Sequence, residues 1–183
     1  GIRNRLGRQI TMLRRAKLDV HPRQLTLRAT LQWSWDLLPV EEQELLVACS
    51  VFSGGFDVGM IQLMLGNTTQ RQVLSRIEDL VDKSLVLVDG ESQESRFFVP
   101  KGLRQFVLVE EGKKEHIQTC ITQSKHAHLK TFSESEFVVL ATKRHMLTSR
   151  QQVDWIGTNI ENILAAFRYG LTVNQVSSAW ILA

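Results

Sequence analysis

The chain has 183 residues, 43% hydrophobic and 22% charged, with a net charge of +3. That balance is ordinary for a globular protein of one domain, or one small domain plus part of another. No run of 18 apolar residues occurs, which excludes a transmembrane helix. Two cysteines, Cys49 and Cys120, read as buried free thiols of a reducing compartment. The chain starts Gly1-Ile2-Arg3 with neither a Met nor a signal peptide, and it reads as a segment of a longer protein.

Charge is unevenly placed. Residues 1–35 hold eight Lys or Arg against Asp19, a surplus of +7, whereas residues 36–183 sum to −4. This basic arm, residues 3–18, is predicted to be a weak amphipathic helix. Its apolar side, Leu6, Ile10, Leu13 and Leu18, suits packing against another part of a longer chain; nucleic acid or an acidic surface is the alternative.

A second helix is predicted over 24–38, ending at Pro39. Leu27, Leu31, Trp35 and Leu38 recur at helical spacing, and Trp33 and Leu37 are read as widening that stripe. Glu41 and Glu42 suit the first turn of the next helix, with Leu45, Leu46, Cys49 and Phe52 as its buried face. Gly54-Gly55 breaks it and is read as a turn needing unusual backbone angles. Asp57 is a candidate N-cap for a short helix with Ile61, Met64 and Leu65, closed by Gly66-Asn67. Thr69 and Gln72 form a capping-box pattern. The helix they open carries Val73, Ile77, Leu80 and Val81. Leu85-Val86-Leu87-Val88 and Arg96-Phe97-Phe98-Val99, around Asp89-Gly90, predict a β-hairpin.

After Pro100 the pattern is helical: Leu103, Phe106 and Val107 first, then a long helix over 113–133. The apolar run 136–141 has no assigned state. Val153, Ile156, Ile160, Ile163, Leu164 and Phe167 form a further stripe, with Gly170 as a stop. Val176, Ala179, Trp180 and Ala183 open another helix. The fold class expected is mainly α: a winged helix-turn-helix with a small β-hairpin wing, followed by an α-helical, TPR-like or solenoid segment.

Catalytic patterns are missing from the sequence. It has no Walker string, no Gly-x-Ser-x-Gly elbow, no His-Glu-x-x-His and no Cys-x-x-Cys. His126 and His128, two apart, point to different helix faces and make a poor metal pair. His21, His116 and His145 complete the histidines. Glu41/Glu42 and Glu110/Glu111 read as solvated faces, and Asp82 and Lys83 as exposed. No catalytic, cofactor-binding or metal-binding residue is assigned, and the segment is not expected to be an enzyme.

Five blocks resemble, in order, the winged-helix region of bacterial STAND-class signal-transduction ATPases, relatives of NB-ARC proteins that include LuxR- and SARP-type transcriptional regulators. The blocks are Arg23-Gln24-Leu25-Thr26-Leu27-Arg28 with Trp33-Ser34-Trp35-Asp36-Leu37-Leu38; Val51-Phe52-Ser53-Gly54-Gly55-Phe56-Asp57; Leu80-Val81-Asp82-Lys83-Ser84-Leu85-Val86; Leu103-Arg104-Gln105-Phe106; and Trp155 with Glu161-Asn162-Ile163-Leu164-Ala165-Ala166-Phe167. The resemblance implies an arm from a preceding ATPase subdomain at 1–22, a winged helix at 23–112 and the start of helical repeats at 113–183.

It also implies ATP or ADP with Mg on an upstream domain and no cofactor on this segment. The expected partners are the protein's own ATPase core and a second copy through the repeats, in the cytoplasm, with neither membrane nor direct nucleic-acid contact. NB-ARC relatives place a nucleotide-sensing His after the wing. Val99-Pro100-Lys101 stands there instead, so no nucleotide contact is carried over, and Lys101 is read as a solvated helix-start lysine. A DNA-binding winged helix and a nucleotide-independent scaffold are the alternatives. The candidate recognition helix, 69–83, has zero net charge and the hairpin, 84–99, has −2, both poor matches for a phosphate backbone.

Overall fold

The computed structural model describes residues 22–66, 68–89, 95–133 and 150–173. The basic arm, the 136–141 run and the helix at 176–183 lie outside these residues, as do Asp19, His21, Asn67, Gly90 and His145. The described residues fall into two compact units, divided after Leu38.

The first unit contributes helix α1, Pro22–Asp36. Trp35 and Leu38 are buried and Leu31 is half-buried, as the spacing predicts. Leu27, Trp33 and Leu37 are exposed, so the widened stripe is a misreading. At 100° per residue, Trp33 and Leu37 each sit about 200° from Trp35, on the opposite side of the helix.

In the second unit, α2 (Val40–Ser50) starts at Pro39 with Glu41 and Glu42 in its first turn. It buries Leu45, Leu46 and Cys49, and Phe52 follows into the core. Helix α3 (Val58–Leu65) is capped by the Asp57 carboxylate, which accepts from Met60 N–H at 2.8 Å. Gly66, at φ 73°, ends it. Helix α4 (Gln70–Asp82) opens with the full capping box. Thr69 accepts from Gln72 N–H, and the Gln72 side chain accepts from Thr69 N–H. Val73, Ile77 and Leu80 form its buried line.

Strands β1 (Leu87–Asp89) and β2 (Arg96–Phe98) pair antiparallel, with Leu87 opposite Phe98 and Asp89 opposite Arg96. Phe56 adds a bridge to Phe97, bonded in both directions at 2.9 and 2.8 Å, so the chain before α3 lies along the outer edge of β2. The fold is mainly helical, a winged helix-turn-helix with a two-stranded wing and a helical segment after it.

Helix α5 (Lys101–Gln105) begins after Pro100 and passes without a break into a π-helical turn, Phe106–Glu110, and a 3-10 turn, Glu111–Lys113. Helices α6 (Glu115–Ser133) and α7 (Arg150–Thr172) follow. Helix α6 packs against α2, α3 and α7. A line of aromatic rings ties the layers together: Phe97 to Phe56 at 6.0 Å, Phe56 to Phe52 at 5.3 Å, Phe52 to Phe132 at 6.4 Å and Phe132 to Trp155 at 6.2 Å.

Helix α7 departs from its predicted stripe. Ile163 is buried and Ile156 and Phe167 are half-buried, but Val153, Ile160 and Leu164 are exposed. The buried line runs through Asn159, Asn162, Ile163, Ala166 and Gly170 instead. Two asparagines take apolar places because their amides are satisfied there: Asn162 bonds the Gly54 and Gly55 backbone, and Asn159 donates to Trp155 O on its own helix and accepts from the Arg96 side chain. No helix among the described residues is long and apolar enough to cross a membrane.

Candidate functional site: a basic groove

Asn162 accepts from Gly54 N–H and donates to Gly55 O, both at 2.9 Å. Arg96 donates to the same Gly55 oxygen at 2.5 Å and to Asn159 Oδ1 at 3.3 Å. The Gly54–Gly55 turn is thus closed by side chains, and it offers no cradle for a nucleotide phosphate. Neither glycine has a positive φ, which corrects the sequence expectation. Gly55 is needed for space: an added Cβ would lie 2.5 Å from the Phe98 ring.

Beside this turn, α5, α6 and α7 enclose a groove of about 520 Å³. Its walls carry four cations, Lys101, Arg104, Lys125 and Arg168, and no carboxylate. Helix α5 supplies the first two from one face. Arg104 is anchored by a 3.0 Å hydrogen bond from Nη1 to Phe52 O. Helix α6 brings Lys125, whose Nζ stands 5.8 Å from the centre of the Tyr169 ring. That ring is fixed by a 2.7 Å hydrogen bond between its hydroxyl and His126 Nδ1. The π-helical turn places Leu108 and Val109 on the groove's apolar side. Turns of this kind are frequent at functional sites.

His128 also lines the groove. It is 3% exposed, packed edge-on against Phe52 at 4.8 Å, and its Nε2 has no hydrogen-bond partner. Burial pushes its pKa down to about 4, so the ring is neutral at pH 7. His126 and His128 do point to different faces, as expected. Lys101 is exposed at the first position of α5 and forms part of the groove wall.

The remaining polar candidates resolve differently. Glu111 is buried, contrary to a solvated reading, and pairs with Lys114 at 2.5 Å. The sequence shows no sign of this because Glu111 leaves the α-helical register through the π-helical turn. Its N–H bonds to Phe106 O, five residues back. Lys83 and Asp82 are exposed, and Lys83 bridges to Glu42. Cys49 is buried and free; burial pushes its thiol well above the usual range. Cys120 is half-buried, its thiol raised by desolvation and then by the Glu44 charge. Glu44, His116 and Cys120 bring one donor atom each within 4.8 Å of one another. The pairing of His116 and Cys120 four residues apart was visible in sequence, but Glu44 on another helix was not.

The chain is similar to a Mycobacterium tuberculosis H37Rv protein named "Putative HTH-type transcriptional regulator". The two are 29% identical over 164 residues, 88% of this chain and 18% of that protein. A Mycobacterium bovis protein of the same description is equally similar. A second M. tuberculosis H37Rv protein, named as uncharacterized, is 38% identical over 92 residues, 49% of this chain and 23% of its own length. The chain therefore spans between 18% and 23% of the length of these relatives. No family model matches it, and no solved structure matches it significantly.

Proposed function

We propose that the chain is a regulatory winged-helix segment of a larger transcriptional regulator, working by packing against its own protein rather than by reading DNA. The observation that carries this is the similarity, along 88% of the chain, to a protein named as an HTH-type transcriptional regulator. The winged-helix order of α2, α3, α4 and the hairpin supports it.

Charge favours packing over DNA contact. The exposed side of α4 sets Arg71 and Arg76 against Glu78, Asp79 and Asp82, and Lys83 is already paired with Glu42. In the wing, Arg96 turns inward to Gly55 O and Asn159. A surface without surplus cations gains little from releasing counterions of a duplex.

The finer reading takes the larger protein to be a STAND-class ATPase, cytoplasmic, with ATP or ADP and Mg on an upstream domain. The winged helix would hold one nucleotide state and release in the other, a ligand-biased rearrangement. Support for this comes from the five sequence blocks. The test is hydrogen exchange on the full-length protein with ADP and with ATP. Protection of α1 to α4 should differ between the two states, and identical protection overturns the switching reading. Fluorescence anisotropy of the chain with a mixed-sequence duplex at physiological salt tests the other half. Binding tighter than about 1 μM, the tight end of non-specific affinity, would favour a DNA-reading module.

A further inference from the structure

Four cations around one groove repel one another. In each of them the structure leaves charge that no carboxylate among the described residues neutralises. Exposed cations can rely on water and salt, but here they share walls with an apolar side and with a buried imidazole whose Nε2 has no partner. Buried polar atoms are normally satisfied; His128 lines the groove, with Nε2 itself enclosed by protein atoms.

We propose that the groove is a binding site for a small organic phosphate, a phosphomonoester with an apolar or aromatic body. The chemistry selects this class. A phosphoryl group carries close to two negative charges and three acceptor oxygens. It matches several cations better than a single carboxylate, which would leave most of them uncompensated. Arg104 and Arg168 supply planar forks suited to such oxygens, and Lys101 and Lys125 act as point charges.

Leu108 and Ala165 offer the apolar side on which the body of the ligand rests. The volume, about 520 Å³, falls within the ordinary range for small-molecule sites. Arg104 is held in place by Phe52 O and the Tyr169 ring by His126, so the walls are set before a ligand arrives.

The site does not depend on the regulatory reading. It can fail while that reading stands, and the reverse. The test is titration calorimetry on the chain with phenyl phosphate and with inorganic phosphate, against sodium chloride at matched ionic strength. Both phosphates should bind saturably and phenyl phosphate more tightly, because its ring reaches the apolar side.

Arg168→Gln and Lys125→Gln, each with an unchanged circular dichroism spectrum, should weaken phenyl phosphate about tenfold or more, the scale of one charge-assisted hydrogen bond. No saturable binding by either phosphate overturns the site. Binding unmoved by both substitutions places the anion elsewhere. Inorganic phosphate binding without a gain for the phenyl ester overturns the ligand class and leaves an adventitious ion only.

Discussion

His128 shows how far a single residue can be carried from sequence to consequence. Its folded pKa, about 4, lies below the usual histidine value. Between the two values the unfolded chain binds more protons, so stability rises with pH there. The contribution is whole above about pH 6.5 and is lost as pH falls toward 4, on the order of 3 kcal/mol in all. Thermal melting followed from pH 7 to pH 4 should fall steeply, and His128→Phe should flatten the curve over that window; equal slopes would place the acid sensitivity elsewhere.

The glycine pair makes a second residue-scale case. Gly55→Ala drives a Cβ into the Phe98 ring and should cost about 1–3 kcal/mol, the usual range for overpacking. Gly54→Ala meets its nearest atom at 3.6 Å and should change stability by no more than about 0.5 kcal/mol. Denaturant midpoints of the two variants separate them. A shared loss would point back to backbone angles as the reason for both glycines.

At the scale of elements, caps and periodicity were legible and crossings were not. Asp57, Gly66 and the Thr69–Gln72 box stand where the pattern put them because a cap is local chemistry, written within four residues. The α1 stripe failed in part because apolar content was counted without regard to angle. Trp35 is 2% exposed and Trp33 66%. Trp35→Ala should therefore cost about 3–5 kcal/mol, as for a buried aromatic, and Trp33→Ala about 0.5 kcal/mol or less. Chemical denaturation of each variant checks the helix register, and equal losses would refute it. Helix α7 misled for the opposite reason. Its buried line includes Asn159 and Asn162, which a hydrophobic template rejects, and their value lies in Gly54, Gly55 and Arg96 far away in sequence. The groove was hidden in the same way: α5, α6 and α7 each carry one or two cations that look like solvated residues until the helices meet.

On the scale of the whole described unit, the aromatic line and the asparagine clamp make the winged helix and the helices after it share one core. Phe52 sits between Phe56 on the wing side and His128 and Phe132 on α6, and Phe132 meets Trp155 on α7. Asn162 closes the other side of this joint with two hydrogen bonds and no exposed surface. Asn162→Ala leaves Gly54 N–H without its acceptor and removes one of two donors to Gly55 O, a loss of about 2–3 kcal/mol for buried groups. If residues 39–173 unfold as one unit, that loss is felt far from α7. Hydrogen exchange should then show the amides of Val73, Ile77 and Leu80 on α4 losing protection in step with those of Ile163 and Ala166 on α7. Faster exchange confined to α7 would mean that the winged helix stands alone and that the helices behind it can detach. A regulatory segment built on the second pattern could relay a signal by releasing α7; one built on the first must move as a block, with the groove carried intact inside it.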